Sequence, residues 1–168
     1  MKIAVFGKMA SGKTYISKSL ALRYNLEIYS FGDKVKELAK ELFMMKDKDR
    51  KLLQILADKM KEINPDVWVN YLIEKIKDKD NVIIDDLRFP DEALELENLG
   101  FTIIGLDIDQ DTQLKRLKKK YPQNYHRHLE NLHHTSEIQF KNIDADFRIY
   151  SNEKTLATII KFLETDIN

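Results

Sequence analysis

The 168-residue sequence contains no cysteine. That excludes a disulfide framework and a thiolate metal site, and it fits a reducing compartment. Net charge is absent too, because 28 Lys+Arg balance 28 Asp+Glu. Nothing in the overall charge therefore favours nucleic acid or an acidic membrane surface as a partner. No apolar run approaches the ~20 residues of a membrane-spanning helix, and the strand-like N-terminal sequence does not read as a signal peptide. Internal repeats and low-complexity linkers are also missing. The length suits one domain over residues 1–168 with a substantial core. The expectation is a soluble, cytoplasmic domain.

Glycine is scarce, five residues in all, yet two of them stand in one eight-residue stretch. Gly7-Lys8-Met9-Ala10-Ser11-Gly12-Lys13-Thr14 fits G-x-x-x-x-G-K-[ST] at every fixed position. It follows the apolar run Ile3–Phe6 and precedes apolar residues at helical spacing, Ile16 and Leu20. Strand, glycine-rich turn and helix form the context in which this motif cradles phosphate. Without a Cβ at Gly7 and Gly12 the backbone can wrap an anion with its N–H groups, and the helix start adds its dipole. Lys13 is expected to reach the β- and γ-phosphates, and the Thr14 hydroxyl to ligate Mg²⁺.

Further along, Leu26–Phe31 reads as a second strand ended by Gly32-Asp33. Helices follow through Val35–Phe43 and Leu52–Ile63, and a third starts at Asn64-Pro65-Asp66, with Asn64 as cap and Pro65 in the first turn. Asn81–Asp86 is a nearly continuous apolar run closed by two acids, which is how a buried parallel strand reads. Pro90–Leu99 is a helix stopped by Gly100, Phe101–Asp107 a strand, Thr112–Lys120 a basic helix and Phe147–Tyr150 a last strand. Ser151 or Asn152 is expected to cap the final helix. Alternating strands and helices predict an α/β fold, three-layer α/β/α around a central parallel five-stranded sheet of the P-loop NTPase type. Two long connections interrupt it. Residues of about 33–78 suit an acceptor-binding helical insert, and about 111–140 a lid.

Several clusters could carry chemistry. Asp85 and Asp86 end a strand, and a carboxylate there can hold Mg²⁺ through water; strict alternation would point the two side chains apart, with Asp85 assigned to the metal. Arg88 could clamp an acceptor phosphate, or pair with Asp86 or Asp91. Arg50 and Gln54 could receive an acceptor's phosphate and base edge, or form a solvated helix face; Asp33 and Lys36 pose the same alternative. Phe31 and Trp68 could stack on a base, although helical spacing makes Trp68 a core residue first. Arg116, with Arg127 second, could neutralise a transferred phosphoryl from a lid. His126, His128, His133 and His134 lack a compact zinc spacing.

The pieces Gly7–Thr14, Ser30-Phe31-Gly32-Asp33 with Lys36, Arg50-Lys51-Leu52-Leu53-Gln54, Asp66-Val67-Trp68-Val69-Asn70, Asp85-Asp86-Leu87-Arg88-Phe89 and His134-Thr135-Ser136-Glu137 occur in this order over nearly the whole chain. In that combination the sequence resembles the phage-type deoxynucleoside monophosphate kinases of the P-loop nucleotide-kinase superfamily. Gly32 stands where alanine is commoner. The resemblance implies ATP-dependent phosphorylation of a deoxynucleoside 5′-monophosphate with Mg²⁺, in the cytoplasm (the host's, if the chain is phage-encoded). It implies Arg88 and Arg50 as acceptor-phosphate ligands, Asp85 beside the metal, Arg116 in the lid and Asn152 in the adenine-side loop. His134 and Glu137 match by motif without an assigned role. Phosphomevalonate kinases share much of the pattern and are the close alternative; a P-loop ATPase switch is the more distant one. The expected partners are small molecules, not nucleic acid or membrane, and a homodimer stays an open alternative.

Overall fold

The computed structural model describes residues 1–123, 125–126 and 139–165. The chain forms two compact units, Met1–Ile28 with Asp80–Asn168, and Tyr29–Lys79.

A five-stranded parallel sheet runs through β1 (Lys2–Gly7), β2 (Glu27–Tyr29), β3 (Val82–Leu87), β4 (Thr102–Asp107) and β5 (Phe147–Tyr150), in spatial order β2-β3-β1-β4-β5. This is the α/β architecture expected from the alternation of elements. β1 is central, paired in parallel with β3 and β4, and its apolar run is buried on both faces as such a position demands. The pleat sorts its residues. Ile3 and Val5 join Ile83, Ile104 and Leu106 in a cluster with Ile16 and Leu20 of α1 (Lys13–Tyr24) and with Ile159 and Leu163 of the C-terminal helix Thr155–Thr165. Phe6, one residue out of phase with them, lies 6.5 Å from the Phe140 ring and under the Arg148 guanidinium. Gly105 makes room for it, since a Cβ there would stand 2.7 Å from Phe6 Cζ. Each fully buried Ile or Leu in such a cluster is worth about 1.5–3 kcal/mol of transfer free energy.

In the second unit, α2 (Gly32–Phe43), α3 (Arg50–Ile63) and α4 (Val67–Ile76) follow one another. The Asp49 carboxylate caps α3 by accepting from Leu52 N–H at 3.0 Å. Trp68 is buried, and its indole N–H donates to the Ala57 carbonyl, tying α4 to α3.

Back in the first unit, α5 (Pro90–Asn98) ends in a Schellman motif. Phe101 N–H donates to Leu96 O and Gly100 N–H to Glu97 O, with Gly100 at φ 77°. Then come α6 (Gln110–Lys120), a 3₁₀ turn at Gln139–Asn142, and α7 (Thr155–Thr165).

Four local expectations are corrected. The second strand stops at Tyr29, because Phe31 already has helical dihedrals as the residue before α2. Asn64 does not cap α4: its Oδ1 accepts Asp66 N–H in a tight turn through Pro65, and the helix begins at Val67. β3 runs one residue beyond the acids, to Leu87. At the last helix, Asn152 Oδ1 binds Lys154 N–H before the helix begins, and the Ser151 hydroxyl is engaged by Arg116 instead. At Asn64 and Asn152 the side-chain oxygen takes a backbone N–H two residues on, ahead of the helix.

Candidate active site

The phosphate-loop residues leave β1 through Gly7, whose φ of 147° lies on the side that favours glycine. A Cβ at this position would sit 2.3 Å from Leu106 O, its register partner on β4, and 2.9 Å from Ser11 Oγ. Gly12, at φ 101°, leads into α1, which has no side-chain cap. Its first N–H groups thus have no acceptor within the helix, and an anion can take that place. Ser11 is buried, and its hydroxyl has no hydrogen-bond partner among the described residues. An orphaned hydroxyl in a tight turn, beside two glycines that keep the cradle open, suits a polyphosphate.

The loop's carbonyls point the other way, and side chains meet them. Lys13 Nζ donates to the carbonyls of Gly7 and Lys8. From α6, Gln113 Nε2 donates to Met9 O at 2.8 Å, and Arg116 Nη1 to Ala10 O at 3.1 Å and Ser11 O at 3.3 Å. The same Nη1 reaches Ser151 Oγ at 2.9 Å, after β5. Arg116 therefore links the loop, α6 and the β5–α7 turn. Asn152 in that turn is exposed, with Nδ2 donating to Tyr150 O at 3.2 Å. Helix α6 is itself anchored, with Leu117 fully buried and the Asp109 carboxylate accepting Thr112 N–H at 2.8 Å. That backbone hydrogen bond, chiefly, holds the Asp109 carboxyl below its usual range.

Asp85 and Asp86 stand on β3, the strand beside β1. The register passes from Ala4↔Ile84 to Phe6↔Leu87, so the two acids together oppose the single residue Val5. The expected strict alternation of their side chains does not carry across this irregularity, because an extra residue in one strand re-aims its neighbours. Both are half-buried. Arg88 follows, exposed, and its backbone N–H and that of Phe89 donate to Glu92 Oε2 at 3.0 and 3.2 Å. Glu92 is buried at the start of α5, and sequence spacing gave no hint of this contact beyond a Glu at the third helical position.

Phe31, Asp33, Lys36, Arg50, Gln54 and Trp68 belong to the second unit. Phe31 is buried ahead of α2, and Asp33 pairs with Lys36 across one helical turn at 2.8 Å. Arg50 opens α3, with Gln54 four residues on and so on the same face. Trp68 has the packed position described above. Arg127, His128, His133, His134 and Glu137 lie outside the described residues. His126 is exposed with its ring 3.8 Å from that of Tyr125. Among the described residues no group of three or more His, Cys, Asp or Glu could hold a metal, and no helix is long and apolar enough to cross a membrane.

The sequence profile of the family described as AAA domain matches residues 3–137. An adenylate kinase from Thermococcus kodakarensis is 32% identical over 127 residues, which span 70% of this chain and 54% of the relative. Another, from Thermococcus onnurineus, is 34% identical over 112 residues, or 65% of this chain and 47% of the relative. The chain thus spans about half the length of the curated relatives it matches. Among solved structures, a shikimate kinase from Aquifex aeolicus superposes with a TM-score of 0.62 at 20% identity, covering 99% of this chain and 98% of the other. One from Acinetobacter baumannii in complex with shikimate does so with 0.62 at 14%, covering 98% and 93%. These two similarities show the fold.

Proposed function

The chain belongs to the AAA-domain family of P-loop NTPases, and from that membership we propose an ATP-dependent kinase that phosphorylates a deoxynucleoside 5′-monophosphate to its diphosphate. One observation carries the reading. A phosphate loop with its carbonyls occupied and its helix start uncapped lies on the strand beside an acid pair, which is followed by an exposed arginine. The similarity to two adenylate kinases supports the acceptor class. The motif run from Arg50 to Arg88 supports the deoxynucleotide.

In this reading the triphosphate of ATP lies on Gly7–Thr14 with Lys13 at its β- and γ-oxygens. Thr14 and Asp85 would hold Mg²⁺, and so small a donor set fits an ion that keeps several waters and takes its other ligands from phosphate. Bound there, Mg²⁺ would supply neutralisation of the charge on the triphosphate. Arg116, beside the loop, neutralises charge on the transferred group by exchanging a carbonyl for a phosphate oxygen. Asn152 stands on the adenine side. Arg88 and Arg50 clamp the acceptor phosphate, and Phe31, Asp33, Lys36, Gln54 and Asp86 read the nucleoside; Trp68 acts through packing. Phosphoryl transfer proceeds by positioning and electrostatics. The acceptor phosphate's second pKa is about 6, so near neutral pH it needs no dedicated base.

The test is a panel of deoxynucleoside and nucleoside monophosphates, phosphomevalonate and shikimate, each with Mg·ATP, followed by product detection. ADP and a nucleoside diphosphate should form together, with little ADP when no acceptor is supplied. Product from phosphomevalonate or shikimate alone would overturn the nucleotide assignment, and acceptor-independent hydrolysis would overturn the kinase.

A further inference from the structure

We infer that Gln113 is a positioning residue of the phosphate loop, a role that rests on the reading of that loop as the cradle of the donor. A loop that turns its N–H groups inward toward an anion must leave its carbonyls facing out, and each then needs a donor. Lys13 meets Gly7 and Lys8, and Arg116 meets Ala10 and Ser11. The carbonyl of Met9, between them, takes the amide N–H of Gln113 at 2.8 Å, 104 residues away in sequence.

Two features separate this contact from incidental packing. Ala10 holds φ 66°, a left-handed conformation that a residue with a Cβ keeps only where its surroundings over-determine it. The peptides on either side of its Cα are the ones held, Met9 O by Gln113 and Ala10 O by Arg116. The two side chains are three residues apart on α6 and share a face, so a single helix grips both. Gln113 is also 4% exposed and uncharged. It cannot neutralise phosphate, so its contribution is to the shape of the loop.

The experiment compares wild type with Gln113→Leu, which keeps the bulk and removes the donor, and with Gln113→Met, unbranched like glutamine, in case the leucine branch does not fit. In the ligand-free protein, hydrogen exchange should accelerate in the segment 7–12 while amides of α6 keep their protection. In turnover, KM for ATP should rise about fivefold to tenfold, the loss expected for one neutral hydrogen bond, and KM for the acceptor should stay constant. Unchanged loop exchange in both folded variants would overturn the positioning role. If instead the loop loosens but wild type does not bind Mg·ATP, the donor reading falls and the Gln113 contact stands, so the two failures are distinguishable.

Discussion

Gly7→Ala tests whether the loop is built on a close backbone approach or merely on flexibility. Two costs combine at this position. A residue with a Cβ at φ 147° is strained, typically by about 1–3 kcal/mol. The new Cβ would also lie 2.3 Å from Leu106 O, a backbone atom of β4 that cannot rotate away. Separating β1 from β4 in a packed sheet adds an overpacking cost of roughly 1–3 kcal/mol. The expected loss is therefore about 2–6 kcal/mol. Gly100→Ala is the internal control. Its φ of 77° brings the strain, but nothing lies within 4 Å of its would-be Cβ, so it should lose only about 1–3 kcal/mol. Urea unfolding of the two variants and wild type, followed by far-ultraviolet circular dichroism, measures the difference at constant m-value. Gly7→Ala should unfold at clearly lower urea than Gly100→Ala. Equal midpoints would refute the close-approach argument and leave Gly7 as an ordinary turn glycine.

Other perturbations separate the remaining roles. Lys13→Ala should lower kcat by about 10²-fold or more, the scale of a lost transition-state charge contact, while its thermal midpoint shifts little; near-wild-type turnover would remove Lys13 from the mechanism. Arg88→Ala should raise KM for the acceptor far more than KM for ATP, and the reverse pattern in steady-state kinetics would reassign it. Trp68→Phe removes the indole N–H bonded to Ala57 O and should cost about 1 kcal/mol for the hydrogen bond plus a smaller packing term, with KM values for both substrates unchanged if the residue only packs. Asp109 is a carboxyl whose folded-state pKa is depressed. Its contribution is therefore present above its unfolded value of about 3.9 and is lost as pH falls through the lower folded value. Asp109→Ala should flatten the acid limb of stability below about pH 4 and lower stability uniformly from about pH 5 to 8; an unchanged limb would show that the cap adds nothing.

Much of the fold, and the position of the phosphate loop between β1 and α1, was legible from local pattern. The apolar run before Gly7 reads as a buried parallel strand because residues 3–6 must bury both faces. Gly100 reads as a helix stop because the Schellman geometry admits a left-handed residue there. Phe31 and Asn64 misled for a shared reason: both sit at junctions where strand, turn and helix propensities differ by less than one tertiary contact supplies.

The sequence alone determined which chemistry was available: a glycine-bounded loop with Lys13 and Thr14, an acid pair on an apolar strand, and arginines at 50, 88 and 116. These follow from residue types at short spacing, where backbone geometry dictates the outcome. Only the tertiary structure decided what meets the loop from outside. Gln113 and Arg116 reach it across more than 100 residues, and the register of β1 with β3 shifts between Ala4 and Phe6, where the two acids lie. Such contacts depend on how distant strands register and where α6 lies, and no local propensity encodes either.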